Sequence, residues 1–368
     1  MVRSPGRLHL LRLVAVLAGA GALLLLAGCA GDAPQDTLKP EGPVARQQNN
    51  LFKPIFYLAV VPIFVLVQGL VIATVIRHRH RPGRPDPVQV HGNTKLEIGW
   101  TAAPALILLF AAVPTINTIF DIAREPTDPL EVDVYGHMWW WEYIYPEQDG
   151  IAKEFSTANE LHIPVDRPVR LSMRTVEPGL PPGPDGELAQ GVIHSFWVPK
   201  LAGKQDIVPG RVNKLTIEAD QPGKKYLGQC AEYCNLSHAN MRLAVKTHTQ
   251  EDFEEWVAAQ QSPALEPGAG MAAQGFAIFT GKGGCLACHS VTGIEGAVSR
   301  VGPNLTHLKS RDRFAGYIFD TTPELLRKWV DNPSAMKPMR PDKGTGMPDQ
   351  NLSPAELDQV VAYLETLK

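Results

Sequence analysis

Two stretches of this chain, residues 54–76 and 98–120, run without a charged side chain. Each has the roughly twenty apolar residues that a helix needs to cross a bilayer. In lipid every backbone polar group must be satisfied within the segment, so these stretches can only be helices. Pro62, Pro104 and Pro114 fall inside them, which is tolerable where neighbouring helices take up the freed carbonyls. The loop between the helices is strongly basic, Arg-His-Arg-His-Arg-Pro-Gly-Arg over 77–84. Short basic loops stay in the cytoplasm, so the first helix runs inward and the second outward. Everything after Asp121 is then extracytoplasmic.

The N-terminus places the chain the same way. Arg3, Arg7 and Arg12 precede and enter an apolar run through Leu26, followed by Ala27, Gly28 and Cys29. A basic start, an apolar core and small residues before a cut predict an export signal over residues 1–28. Leu-Ala-Gly-Cys at 26–29 also resembles a bacterial lipobox, in which Cys29 is acylated and becomes the mature N-terminus. An ordinary signal anchor with an incidental cysteine is the alternative. Residues 29–50 are expected outside the membrane, and residues 51–122 form the helical hairpin with its cytoplasmic loop. The chain is thus expected in a bacterial cell membrane as a multi-pass protein in contact with lipid. A formal net charge of −3 gives no reason to expect nucleic acid as a partner.

After the second helix the pattern becomes short alternating runs, at 131–136, 169–174, 192–198, 213–218 and 242–247. Gly, Pro and Asp clusters separate them, which predicts a β-sandwich or barrel over 130–250. Residues 177–191 are rich in Pro and Gly and read as an exposed loop. Residues 251–269 are expected to be a linker, with the strongest compositional signal from 260 onward. Beyond it, helical spacing at 271–279 and capped starts at Thr322-Pro and Ser353-Pro-Ala-Glu predict a small all-α domain over 270–368.

Two constellations carry the chemistry. The first is Cys-Ala-Glu-Tyr-Cys-Asn-Leu-Ser-His-Ala-Asn-Met over 230–241, with His194 upstream. Thiolate, imidazole and thioether together suit copper. Cys230 and Cys234 are close enough on one loop to bridge two ions, with His194 and His238 as caps and Met241 as a weak outer donor. A Cys230–Cys234 disulfide or a zinc site is the alternative, and neither accounts for Met241 or His194. The second is Cys-Leu-Ala-Cys-His over 285–289, a c-type haem attachment motif in an exported domain. Met336, Met339 and Met347 are candidates for the sixth iron ligand. His307 reads as a surface histidine.

The string over 226–241 and Val-Ile-His-Ser-Phe-Trp-Val-Pro at 192–199 resemble subunit II of cytochrome c oxidase. So do Asp-Ile-Val-Pro-Gly-Arg at 206–211, Gly-His-Met-Trp-Trp-Trp at 136–141 and Lys-Leu-Glu-Ile-Gly-Trp at 95–100. The resemblance covers residues 51–249 and implies an all-β, cupredoxin-like Greek-key barrel with a binuclear CuA centre. It implies copper ligation by His194, Cys230, Cys234, His238, Met241 and the main-chain carbonyl of Glu232. It further implies a magnesium ion shared with the catalytic subunit through the Glu232 side chain. Trp139 matches the aromatic through which electrons reach CuA, and Glu97 matches a carboxylate near the mouth of a proton pathway. By strand parity Trp139 and Trp141 share one face and Trp140 the other, so at least one should be exposed or at an interface.

Residues 270–368, with Gly-Pro-Asn-Leu at 302–305 and Ala-Tyr-Leu at 362–364, resemble a class I cytochrome c. That resemblance implies covalent haem on Cys285 and Cys288, axial His289 and Met347, and a Pro303 carbonyl orienting the His289 ring. Met339 is the second choice for the axial position. One lipid, two copper and two haem cysteines account for all five.

The sequence departs from the family at Asn235, where glycine is usual, and at Met138, where glutamine is usual. Gln190 and Gly191 replace an acidic pair that helps receive a soluble cytochrome. The resemblance as a whole implies a multidomain subunit of a haem–copper terminal oxidase. Electrons from a quinol-oxidising complex or a soluble cytochrome would pass through haem c to CuA. They would continue to a separate catalytic subunit I, accompanied by subunit III, where oxygen is reduced and protons are pumped. An electron-transfer module of a nitrous or nitric oxide reductase, or a quinol oxidase subunit without copper, would share parts of this pattern.

Overall fold

The computed structural model describes residues 35–80, 82–83, 88–89, 91–175 and 191–368, with positions 16, 19 and 21. Cys29 and residues 177–190 of the expected loop lie outside the described residues.

The two apolar stretches are helical. The first follows α1 (Pro43–Ile55) and a π-helical turn (Phe56–Val60) into α2 (Val61–His78). Pro62 has no N–H to offer the carbonyl of Leu58, and the π turn sits where that bond is missing. The second is α3 (Thr94–Ala123). Asn93 caps it, its side chain accepting from the Lys95 and Leu96 amides at 3.2 and 3.3 Å. Glu97 accepts the Asn93 amide at 3.2 Å, so this carboxylate has a local part in starting the helix. The membrane-spanning windows of both helices are unburied within the chain, as lipid-facing or partner-facing helices must be.

Ten strands form two five-stranded sheets. One has the order β3 (Phe155–Ala158), β2 (Trp140–Tyr145), β1 (Leu130–His137), β5 (Val169–Thr175), β8 (Asn213–Ile217). The other runs β4 (Glu160–Pro164), β10 (Arg242–His248), β9 (Lys225–Cys230), β6 (His194–Trp197), β7 (Gln205–Ile207). The pairs β1–β5 and β4–β10 are parallel. In β1 alternate residues Leu130, Val132 and Val134 turn inward while Glu131 faces water. Trp141, Tyr143, Leu171 and Phe196 fill the space between the sheets.

Strand β2 breaks the alternation, since all six of its residues are buried. An antiparallel strand buried on both faces needs a cover on its outer side. That cover is the C-terminal domain, so none of the three tryptophans is exposed: Trp139, Trp140 and Trp141 are 3, 8 and 0 % accessible. The interface expected for one of them lies within the chain itself.

The expected linker at 251–269 opens instead with a helix, α4 (Gln250–Gln260). Thr249 caps it by accepting from Asp252 N, and Glu251 and Asp252 sit favourably in its first turn. Its Trp256 ring stacks on His162 at 4.2 Å and meets Tyr145 and Phe155 edge-on. His307 is not a surface residue. It is buried, with Nδ1 2.7 Å from the Lys368 carbonyl and Nε2 3.2 and 3.1 Å from those of Gln260 and Ser262. It therefore fastens the end of α4 to the C-terminus.

In the last domain α5 (Met271–Thr280) crosses the C-terminal helix α8 (Pro354–Leu364), with α6 (Pro323–Asp331) and the short α7 (Pro333–Met336) between them. A Cβ on Gly275 would overlap the Gln359 carbonyl, so only glycine permits this approach. Phe276 and Phe279 then meet Tyr363 edge-on, with centroids 5.4 and 5.1 Å apart. Thr322 caps α6, and Ser353 with Glu356 forms the predicted capping box of α8.

Candidate functional site

Strands β6 and β9 build the metal-ligating centre. Phe196 faces Cys230 across the ladder, which sets His194 beside the end of β9. The loop after β9 is closed at its base by the Cys230 amide donating to the Met241 carbonyl at 2.9 Å. Its flank is tied down by Ala231 N donating to Ser195 O at 2.9 Å. A ten-residue excursion is thereby fixed where its side chains converge.

Six donor atoms meet there. The sulfurs of Cys230 and Cys234 are 3.7 Å apart, both as free thiols. Nδ1 of His194 lies 3.8 Å from Cys230 Sγ, and Nδ1 of His238 lies 3.6 Å from Cys234 Sγ. Met241 Sδ is 3.9 Å from Cys234 Sγ, and Cys230 Sγ lies 3.2 Å from the Glu232 carbonyl. Cys230, Cys234, His194 and Met241 are buried, while His238 is half-buried. The Cys234 hydrogen bond and then His194 pull the Cys230 thiol below its ordinary pKa. Cys234 is pushed the other way by the same contact and by burial. Two coupled thiols, two imidazoles and a thioether thus form a soft-donor cage, which is the donor chemistry that copper prefers.

Asn235 sits on this loop with φ +78 and accepts the His238 amide at 3.0 Å. The position calls for a left-handed backbone, and asparagine is the non-glycine residue that adopts it most readily. Asn235→Gly should therefore leave the loop intact. Asn235→Val should cost about 1–2 kcal/mol, seen as a lower thermal midpoint and weaker copper retention.

The second site is a cavity in the C-terminal domain, bordered by Cys285, Cys288, His289, Pro303, Met339 and Met347. The Cys-Leu-Ala-Cys-His segment begins after Gly284, whose φ is +66, and both its thiols are free. His289 Nδ1 lies 2.8 Å from the Pro303 carbonyl, leaving Nε2 for an iron. Gly302 lies against the His289 ring, where any Cβ would collide with it. Two thiols, a neutral histidine oriented by a carbonyl and two thioethers fit a covalently attached haem. Met339 is buried and Met347 half-buried, and both reach the cavity, whereas Met336 is not among its lining residues.

The two sites share a wall. Trp139 and Trp140 line the haem cavity. Trp139 Nε1 also donates to the Cys234 carbonyl at 2.7 Å, so this one side chain touches both centres. Four residues at this seam escaped the sequence reading: Glu142, Glu160, Arg300 and Lys337. Glu142 had a signal, being a carboxylate between Trp140 and Ile144 on the outer face of an aromatic strand. The partners that tie the other three across the seam lie far away in sequence.

Three family models match the chain. "Cytochrome C oxidase subunit II, transmembrane domain" matches residues 38–118, "Cytochrome C oxidase subunit II, periplasmic domain" residues 130–248, and "Cytochrome c" residues 272–368. Cytochrome c oxidase subunit 2 of Alkalihalophilus pseudofirmus is 34 % identical over 354 residues, 94 % of each chain. That of Bacillus subtilis is 31 % identical over 362 residues, 94 % of this chain and 95 % of the relative. Quinol oxidase subunit 2 of Bacillus cereus is 32 % identical over 249 residues, 66 % of this chain and 78 % of the relative. The continuous match to the first two, taken with a soft-donor cage and a haem cavity on consecutive domains, shows that the chain belongs to the cytochrome c oxidase subunit II family and carries a cytochrome c domain at its C-terminal end.

Proposed function

We propose that this subunit takes electrons at its cytochrome domain and delivers them through its copper centre to the catalytic subunit of a haem–copper oxidase. The observation that carries the proposal is Trp139, hydrogen-bonded to the copper loop and lining the haem cavity. His194, Cys230, Cys234, His238, Met241 and the Glu232 carbonyl would hold the two copper ions. Cys285, Cys288, His289 and Met347 would hold the haem, with Met339 as the competing thioether. When bound, both groups supply one-electron storage with little change of geometry.

The protein's part is to bury these donors, fix their orientation and exclude water. The Pro303 carbonyl fixes the His289 ring, and the ladder around His194 fixes its Nδ1 toward Cys230. The Glu232 carboxylate accepts the Tyr233 amide at 3.1 Å and keeps an oxygen for a magnesium ion shared with the catalytic subunit. Glu97, at the start of the second membrane helix, would stand near a proton pathway of that subunit. Oxygen reduction and proton pumping take place there, with subunit III alongside. The electron donor is a quinol-oxidising complex or a soluble cytochrome, and the absence of an acidic pair at 190–191 favours delivery through the fused domain. Cys29 would anchor the mature N-terminus through lipid.

Metal and haem analysis of the purified oxidase tests this reading. Two coppers and one covalent haem per chain, with a mixed-valence copper EPR signal, are expected. A preparation active with quinol and lacking that signal would instead place the chain with copper-free quinol oxidases. Trp139→Leu should keep both spectra and slow electron arrival at copper about tenfold or more, the equivalent of about 1.4 kcal/mol in barrier, read by flash-induced absorbance changes.

A further inference from the structure

We propose that Arg300 and Lys337 are positioning residues that lock the haem cavity of the cytochrome domain onto Trp139 and Trp140. The two redox sites are then docked in the resting protein and do not meet by tethered diffusion. The proposal rests on the reading of the two sites given above.

Lys337 is 3 % accessible and forms no salt bridge among the described residues. Its ammonium donates instead to two carbonyls, Trp139 O at 2.6 Å and Ala315 O at 2.9 Å. A lysine kept in so costly a place is held by what it joins, and here it joins the backbone of the cytochrome domain to that of Trp139. The next residue, Pro338, accepts from Ser237 Oγ at 2.5 Å on the copper loop. Beside it the Arg242 amide donates to Gly316 O at 2.9 Å.

Arg300 makes a second contact, two residues before Gly302, which lines the cavity. Its Nε and Nη2 donate to the two oxygens of Glu142 at 3.0 and 2.9 Å. Glu142 is 2 % accessible and its Oε2 also lies 3.1 Å from His137 Nε2. The His137 ring stacks on Trp140 with centroids 4.1 Å apart and planes within 5°. A bidentate pair on a buried carboxylate is better at fixing one arrangement than at adding net stability. The arrangement it fixes is Trp140 against the haem cavity. Trp139 is meanwhile held at its carbonyl by Lys337 and at its indole N–H by Cys234 O.

The test uses the intact membrane oxidase, as parent and as Arg300→Leu, Arg300→Lys and Lys337→Met. Hydrogen exchange by mass spectrometry reads docking directly, through the amides of 137–145 and 313–317. Flash photoreduction reads the haem-to-copper step at several ionic strengths. In the parent both segments should be protected and the step independent of salt, because no encounter is needed. Arg300→Leu and Lys337→Met should lose protection at both segments with haem and copper spectra intact. Their haem-to-copper step should slow about tenfold or more and become salt-dependent, and Arg300→Lys should recover most of the rate. Protection and rates within about twofold of the parent in both neutral variants would overturn the proposal. If Arg300→Leu fails to assemble, Lys337→Met and the isosteric Glu142→Gln decide on the same readouts. A parent that shows protected segments yet no copper or haem spectrum would overturn the reading of the sites and leave the docking intact.

Discussion

Cys230→Ser is expected to abolish the mixed-valence copper signal and to leave the covalent haem spectrum unchanged. Cys230 is the residue on which the cage depends most. It lies within 3.8 Å of Cys234 Sγ, His194 Nδ1 and the Glu232 carbonyl at once. Serine is nearly isosteric, and its own amide would still close the loop onto Met241, so the fold should survive. What changes is the donor. A hydroxyl is hard, stays protonated at neutral pH and cannot bridge two soft ions as a thiolate does. Changes outside the ligand shell already cost roughly 10–100-fold in metal affinity, and removing a bridging ligand should exceed that. Oxidase turnover should fall by about a hundredfold or more, measured with a donor that reduces the cytochrome domain first. The haem should then stay reduced after a single flash, because its route onward is gone. Retention of the mixed-valence signal in this variant would show that Cys230 does not bridge the metal pair.

Much of this organisation is written in local pattern. The membrane helices follow from charge-free length, the strands from alternation, and the helix starts from Thr322-Pro and Ser353-Pro-Ala-Glu. The donor cage is legible because Cys230, Cys234, His238 and Met241 lie within a dozen residues on one loop. Even Asn235, the departure from the family that the sequence leaves unexplained, resolves into a left-handed backbone position once φ is known. What the sequence hides is the seam between the domains. Arg300 finds Glu142 and Lys337 finds Trp139 across 158 and 198 residues of chain, and no spacing rule reaches that far. Helix α4 was hidden for a related reason. Its Gln- and Glu-rich composition reads as solvated, and only the aromatic platform of His162, Tyr145 and Phe155 gives Trp256 something to cover. The haem domain is consequently joined to the copper domain by a packed helix and a buried interface.

Glu160 gives that interface a pH dependence of defined sign. It is fully buried, pairs with Lys246 at 2.7 Å and accepts the Asp312 amide of the cytochrome domain at 2.6 Å. Burial works to raise its pKa, but His162, whose Nε2 lies 3.6 Å away, and Lys246 outweigh it and hold it below the ordinary carboxylate value. Its contribution is therefore complete above about pH 4.5 and is lost as pH falls through the lowered folded value. His162 adds to the same trend: burial lowers its pKa from 6.5 to about 4, so it disfavours the folded state progressively between those values as pH falls. Glu160→Ala should cost about 3–5 kcal/mol at neutral pH, the cost typical of breaking a buried ion pair. The loss falls on the carboxylate's charge-assisted contacts with Lys246 and with the Asp312 amide, while Lys246 keeps Asp312 at 2.9 Å. Thermal unfolding followed at the haem band should show the parent and Glu160→Ala curves converging as pH falls from about 4.5 through the lowered folded value, where the parent carboxylate is itself protonated. A gap that persists undiminished into acid would mean that Glu160 contributes by its shape and not by its charge.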